Sequence, residues 1–592
     1  MPNRNEISNE FKWDFSPIFT DDKSWEAAYE DAKNRIPELS SLAGTITSDV
    51  FALKAALDKV YALSEKIEPI YMYAHLHLDT DNGNAAYQSM SSRAMSLYVN
   101  FSMATSFLEP EILSMPEDKL KEYMNDPALA DYRHILDNIN RARPHTLDAK
   151  TEQILAMLGE AAQTPSNAFD MLESVDMTFP ETTGEDGKPA PLTHGAYRVF
   201  LESKDRNVRR EAYEKYFGTF KKYINTLNAL YSGSVKQDTF FSRVKNFGSS
   251  CEEALFGTNV PISVYDALIK AVHDGLPTMK KYIDVRKKLL GVDEVHMYDL
   301  YTPIVKDVDM KMTYEEAKEL VLGACAPLGD EYLSLLRRAY GERWIDVYEN
   351  PGKTTGAFSA GVYGAHPYVL LNFSGTLDDA FTLAHELGHS MHSYFSSREN
   401  TYANHDYRIL CAEVASTVNE VLLSKYLLKT EKDPMRRAAI LNHLLEGFRA
   451  TVFRQTLFAE FERRAHEMDE RGEPLTAEAL NKLYRDLNLL YYDGAVVDEL
   501  HDIEWARIPH FYNAFYVYQY ATGFSSAVKI ASGIIESGDA SNYLKFLATG
   551  GSDYSIEELK IAGVDLTDPN TVRSALKVFD DTLEEFKALM GV

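Results

Sequence analysis

The sequence predicts a mainly α-helical fold with one small β-sheet, and three observations support that prediction. Long segments place apolar residues at three- and four-residue spacing between charged positions, for example residues 24–35, 50–66 and 150–162. Helix start signals precede these segments, such as Asp22 before the first of them. The best strand candidate lies in the glycine-rich segment 349–379, which combines β-branched and aromatic residues.

Two segments interrupt the helical pattern. Residues 181–195 are rich in Gly, Pro and Thr, which predicts a hairpin or a surface loop. Residues 367–373 read PYVLLNF and lie between Gly364 and Gly375, which predicts a strand. The strongest motif of the chain follows directly after this strand.

The composition excludes several classes of protein. Of the 592 residues, 45% are hydrophobic and 25% are charged, the proportions of a folded soluble protein rather than a disordered one. Acidic residues outnumber basic ones by 89 to 61, and the net charge of −28 disfavours binding to nucleic acid or to an anionic membrane surface. No stretch approaches 18 uninterrupted apolar residues, so no transmembrane helix is predicted.

The cysteines and the N-terminal residues predict the compartment. Cys251, Cys325 and Cys411 lie far apart and form no CxxC pair, which predicts reduced, mostly buried thiols without a disulfide framework. The first residues contain no apolar core of a signal peptide. We therefore expect a cytoplasmic protein.

Residues 381–392 read FTLAHELGHSMH and contain an HExxH motif in a helical setting. His385 and His389 lie one turn apart on one helix face, where two neutral imidazoles can bind one Zn²⁺. Glu386 is adjacent to the first histidine, and its carboxylate can take a proton from a water that the metal activates. A helix with two unrelated histidines is the alternative, which the preceding glycine-rich strand and the following helix disfavour.

A catalytic zinc usually has a third protein ligand, and two positions compete for that role. His392 shares the face of His385 but is displaced by about 10 Å along the axis, so we expect it to support a ligand or to face the substrate. The segment 408–428 predicts the next helix, in which Glu413 and Glu420 share a face among apolar residues. Because a buried carboxylate must be paired or bind a metal, we predict Glu413 as the third ligand and Glu420 as the group that orients a ligand histidine. A partly solvated helix face is the alternative for Glu420.

A second polar aromatic group lies at 507–523, where the sequence reads RIPHFYNAFYVYQYATG. Helical spacing predicts two stripes of aromatic side chains there, Tyr512, Tyr516 and Tyr520 on one and Phe511, Phe515 and Tyr518 on the other. An aromatic core helix is the alternative for each tyrosine.

These motifs resemble those of a known family. HELGHSMH followed by CAEVASTVNE resembles the thimet-oligopeptidase (M3) family of zinc metallopeptidases, and the longer run from GAFSAG to HSMH is similar to the oligoendopeptidase F group within it. RARPHTLD at 141–148 and NVPISVYDALIKAV at 259–272 extend the resemblance over nearly the whole chain. By this resemblance, His385, His389 and Glu413 match the zinc ligands, and Glu386 matches the general base.

The resemblance also implies an architecture. Members of the family form a two-lobed helical shell around a deep substrate channel, with zinc on the channel wall. Such a channel admits unfolded peptides and excludes folded proteins. Three regions follow along the chain: an N-terminal helical region at 1–115, an oligopeptidase F N-terminal-type domain at 116–195 and an M3-type catalytic domain at 196–592. The strand at 367–373 would present an edge to which the substrate backbone adds.

Family members hold a histidine and tyrosines over the zinc to stabilise the oxyanion. His510 matches that histidine by order along the chain, and Tyr512, Tyr516 and Tyr518 are all candidates for the tyrosines.

The sequence thus predicts a zinc metallo-endopeptidase that binds one Zn²⁺ per chain and hydrolyses internal bonds of short unfolded oligopeptides. Two alternatives stay open: a helical HExxH metallocarboxypeptidase, and a non-catalytic zinc-containing protein that binds peptides. The oligomeric state is not predicted.

Overall fold

The computed structural model describes residues 2–305, 308 and 310–592. Over these residues the chain is mainly helical with short strands, which confirms the predicted fold class. The α-helices are α1 (Asp22–Ser40), α2 (Val50–Thr80), α3 (Ala85–Thr105), α4 (Leu108–Ser114), α5 (Glu117–Met124), α6 (Arg133–Arg141), α7 (Ala149–Ala162), α8 (Thr164–Met171), α9 (His194–Glu202), α10 (Arg206–Val244), α11 (Ser250–Phe256), α12 (Ile262–Leu290), α13 (Tyr314–Ala324), α14 (Asp330–Gly341), α15 (Leu377–Glu399), α16 (Ile409–Thr430), α17 (Pro434–Gly447), α18 (Arg454–Glu470), α19 (Ala477–Tyr491), α20 (Tyr518–Ser537), α21 (Ser541–Thr549), α22 (Ser555–Ile561) and α23 (Pro569–Met590).

The strands are short and form three small sheets within the described residues. They are β1 (Thr182–Thr183), β2 (Pro189–Ala190), β3 (Val295–His296), β4 (Ile345–Asp346), β5 (Phe358–Ala360), β6 (Tyr368–Leu370) and β7 (Ala495–Val496). None of the helices in the described ranges is both long enough and apolar enough to cross a membrane.

The chain divides into two compact units, each assembled from three separate segments. The first contains Met1–Pro144, Met310–Tyr426 and Ile530–Val564, and the second contains His145–Asp309, Leu427–Lys529 and Asp565–Val592.

In the first unit, α1, α2 and α3 pack around a shared apolar core. Helix α1 begins at the predicted Asp22, but its cap is the preceding Asp21, which accepts a hydrogen bond from the backbone N–H of Ser24. The indole N–H of Trp25 donates to the carbonyl of Ile70 at 2.8 Å, which ties α1 to α2 deep in this core.

The first unit also contains the three-stranded sheet with the order β4–β6–β5. The central strand β6 lies inside the predicted strand 367–373 and runs parallel to β4 and antiparallel to β5. Its three residues are fully buried. The expectation that this strand offers an edge to a substrate is therefore wrong, because both of its sides already pair with neighbours. β5 is an edge strand of this sheet, and it packs against α15.

The second unit contains the long helices α10 and α12, and α23 packs along α12. The hairpin predicted at 181–195 is confirmed, because β1 and β2 pair antiparallel. Cys251 lies in this unit and Cys325 and Cys411 in the first; all three are buried and free, as predicted.

Candidate metal centre

Helix α15 begins directly after the sheet, and its start is well capped. Thr376 accepts a hydrogen bond from the backbone N–H of Asp379, whose side chain accepts one in return from the backbone of Thr376. The acidic Asp378 and Asp379 stabilise the positive end of the helix dipole. The HExxH residues follow within regular helix, so their spacing translates directly into position.

The two histidines of the motif face each other. The Nε2 atoms of His385 and His389 lie 3.1 Å apart. Two nitrogens that each lie about 2.0–2.1 Å from one tetrahedral ion are separated by about 3.3 Å. The pair therefore fits a single divalent ion between the two rings.

Helix α16 supplies two carboxylates to this pair. Glu413 places Oε2 3.8 Å from Nε2 of His385, and one ligand atom from each of His385, His389 and Glu413 lies within 4.8 Å of the others. Glu420 accepts a hydrogen bond from Nδ1 of His385 at 2.5 Å. With its proton held at Nδ1, the imidazole of His385 directs the lone pair of Nε2 toward the other ligand atoms. Two imidazoles and one carboxylate form the donor set of many catalytic zinc sites.

A glycine allows the two helices to come this close. A Cβ atom at Gly388 would lie 2.5 Å from Cα of Ser416 and 2.8 Å from the carbonyl oxygen of Ala415, both in α16. The side chain of the buried Asn419 also bridges the helices, because its amide donates to the carbonyl of Ala384 at 3.0 Å. Gly388 thus allows the carboxylates of α16 to come within reach of the histidines, a role that its place in the sequence does not predict.

Burial and neighbouring charges shift the pKa values of the residues in this site. Burial raises the pKa of Glu386 to about 7. The charges of Glu413 and Glu420 also raise it, and the charge of His385 lowers it. Burial also works against protonation of His385, but the hydrogen bond and charge of Glu420 outweigh it and raise that pKa to about 9. A metal ion at Nε2 would therefore take the place of a proton there. For His389, burial and the charge of His385 lower the pKa to about 3.

His392 is not part of this group. Its side chain is 1% exposed, and its ring stacks on Tyr407 with the centroids 3.6 Å apart. Burial lowers its pKa to about 3. The expectation that it faces a substrate is therefore wrong; this histidine packs in the core of the first unit.

The tyrosine segment does not form the helix that its spacing predicts. Residues 501–507 and 509–512 form two 3₁₀ helices, and α20 begins only at Tyr518. Between them Phe515 has a φ of 58°, a left-handed conformation that a bulky side chain rarely adopts. The two predicted stripes are wrong for residues 507–517, because the backbone turns several times there.

The predicted members of this segment lie in three places within the second unit. His510 and Tyr516 lie together, with ring centroids 6.2 Å apart, and Tyr520 joins them with its hydroxyl 3.4 Å from Nε2 of His510. Tyr518 is 2% exposed and packs against the buried Tyr265.

Tyr512 is half-buried and stacks on Phe169 with ring centroids 4.6 Å apart. The cluster of His510, Tyr516 and Tyr520 is thus the polar part of the segment. The sequence places Tyr520 in a predicted aromatic stripe, but Tyr520 is not one of the tyrosines predicted to stabilise the oxyanion.

Comparison with known proteins gives a consistent result. Residues 199–578 match the profile described as "Peptidase family M3", and residues 111–179 match the one described as "Oligopeptidase F". The chain is 45% identical to "Oligopeptidase PepF" of Bacillus subtilis over 100% of its own length and 89% of that protein. It is 38% identical to an "Oligoendopeptidase F homolog" of Lactococcus lactis, with 99% of this chain and 98% of the relative covered.

A solved structure is also similar. The crystal structure of oligoendopeptidase-F from Enterococcus faecium superposes with a TM-score of 0.74 at 37% sequence identity. The match covers 96% of this chain and 99% of the other.

Proposed function

Because this chain belongs to peptidase family M3, in its oligopeptidase F branch, and is therefore a peptidase, we propose that it is a zinc-dependent endopeptidase of short unfolded peptides. The observation that carries the proposal is the convergence of His385, His389 and Glu413, with Glu386 on the same helix as the histidines. A structural zinc site usually has four closed ligands and needs no adjacent base, so this set favours a catalytic site over a non-catalytic one.

A divalent ion held by these three side chains would activate a water for attack and polarise the scissile carbonyl. Glu386 takes the proton from the attacking water and passes it to the leaving amine. Glu420 keeps the proton of His385 on Nδ1 throughout.

We propose β5 as the strand along which the peptide backbone binds. It lies at an edge of its sheet and contacts α15 through the hydroxyls of Ser359 and Ser390, which are 2.8 Å apart. Pairing through the backbone gives affinity with little sequence selectivity, which suits a peptidase that accepts many oligopeptides.

His510 and Tyr516 are proposed as the donors that stabilise the oxyanion, with Tyr520 as a further candidate. Their mutual contacts and polar groups favour them over Tyr512 and Tyr518, which pack against other rings.

The test is cleavage of an internally quenched peptide of about ten residues that is blocked at both ends. We expect an internal cut that disappears with a chelator and returns when Zn²⁺ is added. A carboxypeptidase cannot act on the blocked peptide, so the absence of cleavage with any divalent metal would contradict the endopeptidase assignment. Mass spectrometry of the products locates the cut.

A further inference from the structure

A cavity of about 370 Å³ lies in the first unit, beside α15 but outside the group of candidate metal ligands. One face of α2 lines it with Glu68 and Tyr71, and α15 lines it with Ser393 and Ser397. His405, from the segment between α15 and α16, completes this part of the wall. No role in the proposed chemistry accounts for this cavity.

The cavity lies along the same face of α15 as Glu386. Glu386, Ser390, Ser393 and Ser397 are spaced by four, three and four residues, so they share one face of the helix. At 1.5 Å per residue, Ser393 and Ser397 lie about 10 and 16 Å from Glu386 along the helix axis. The cavity is therefore in line with the general base.

Strand β5 also reaches this cavity. Its residue Ser359 contacts Ser390 and also lines the cavity. Gly361, just after the strand, lines the cavity too, and a Cβ atom there would lie 2.9 Å from Cβ of Ser393. An extended peptide advances about 3.3 Å per residue. If the peptide binds along β5 as proposed above, a residue three to five positions from the cleaved bond reaches the cavity.

The carboxylate of Glu68 is held in place at the wall of this cavity. Its Oε1 accepts the backbone N–H of Tyr363 at 2.9 Å, and its Oε2 lies 3.6 Å from Nε2 of His405. Nδ1 of His405 donates to the carbonyl of Tyr402 at 2.7 Å, because a carbonyl can only accept. Glu68 lines the cavity, so a cationic group bound there can pair with its carboxylate.

The remaining wall also favours a cation. Asp406 adds a second carboxylate, and the rings of Tyr71 and Tyr98 stand with their centroids 6.2 Å apart. Phenol faces attract ammonium and guanidinium groups. Over the described part of the chain, the residues that line the cavity include no lysine or arginine.

We propose that this cavity is a binding site for a cationic group of the substrate peptide, either a basic side chain or the terminal ammonium, with Glu68 as its main partner. The inference rests on the proposed peptidase function and adds a preference for positive charge at a fixed distance from the cleaved bond.

The experiment measures peptide affinity on the Glu386→Gln variant, so that binding is observed without turnover. The peptides are made in pairs that differ only in carrying Lys or norleucine at one position. That position is the third, fourth or fifth residue on either side of the bond that the wild-type enzyme cleaves. If the wild type cleaves no bond, positions are counted from the central bond. Matched free and N-acetylated peptides test the terminal ammonium. We expect the charged member of one pair to bind about tenfold more tightly, the size of a charge-assisted hydrogen bond.

Glu68→Gln, added to this background, should abolish the preference while leaving norleucine peptides unchanged, because Gln can still accept from Tyr363. Glu65→Gln removes the same charge from an exposed position of α2 and should leave the preference intact. Equal affinities within every pair, or a preference that survives Glu68→Gln, would overturn the proposal. Cleavage by the wild type is measured separately. If the wild type cleaves no peptide but the Lys preference is present, the proposed peptidase function is contradicted and the proposed binding site is supported.

Discussion

Helical spacing predicts the arrangement of side chains in two regions, and it succeeds in one and fails in the other. In the HExxH region every predicted group stands on regular helix, and two packed helices place a ligand atom from each of three side chains within 4.8 Å of the others. In the segment 507–520 the backbone passes through two 3₁₀ helices and the left-handed Phe515 before α20 begins. Periodicity is informative only while the backbone keeps its period.

The two regions also differ in how firmly their groups are held. His385 is fixed by a 2.5 Å hydrogen bond to Glu420, and Gly388 locks α15 against α16. His510 is exposed, and its contact with the hydroxyl of Tyr520 is 3.4 Å long. We therefore expect the loss of a catalytic side chain to reduce kcat more in the first region than in the second.

The largest effect is expected from Glu386→Gln. The substitution keeps the size of the side chain but removes the base, so kcat should fall by about 10³–10⁴, near the upper end for general acid–base catalysis. The zinc content and the thermal unfolding midpoint should stay near those of the wild type. Turnover within tenfold of the wild type would show that another group accepts the proton.

A smaller effect is expected from Tyr516→Phe, which removes a proposed donor to the oxyanion. Loss of one such donor costs about 10²–10³ in kcat, with KM changed little. Tyr518→Phe is the matched control, because that buried ring packs against Tyr265 and should tolerate loss of its hydroxyl within a few-fold. A larger loss in Tyr518→Phe than in Tyr516→Phe would reverse the choice made from the geometry.

Gly388→Ala tests the helix contact itself, and its expected effect is on stability and metal binding. A methyl group 2.5 Å from the backbone of Ser416 forces α15 and α16 apart and should destabilise the protein by about 1–3 kcal/mol, with weaker zinc binding. Gly218→Ala in α10 is the control, since its Cβ meets no atom within 4 Å and alanine favours helix. Chemical denaturation of both variants gives the comparison; equal stabilities would refute the close-contact argument.

Much of the candidate site is predictable from the sequence because it depends on helix geometry. The HExxH spacing gives the two histidines, and carboxylates among apolar residues of α16 point to Glu413 and Glu420. The tight approach at Gly388 is not predictable, since it depends on which helix packs against that glycine. For the same reason the strand at 367–373 is found, but its central place between β4 and β5 is not.

The division of the chain shows a similar limit. The family resemblance implies three consecutive regions, whereas each compact unit of the structure is made of three segments that are distant along the chain. Segments that lie far apart along the chain carry no local signal that they pack together. The channel and the region boundaries implied by the family resemblance stay predictions.

The most direct test of the central claim is the zinc content of the purified protein after dialysis against metal-free buffer. We predict one Zn²⁺ per chain in the wild type and in Glu386→Gln, and less than one tenth of that in His385→Ala and in Glu413→Ala. Full zinc content in Glu413→Ala would contradict the proposed ligand set, and loss of zinc from Glu386→Gln would contradict the separation of base from ligands.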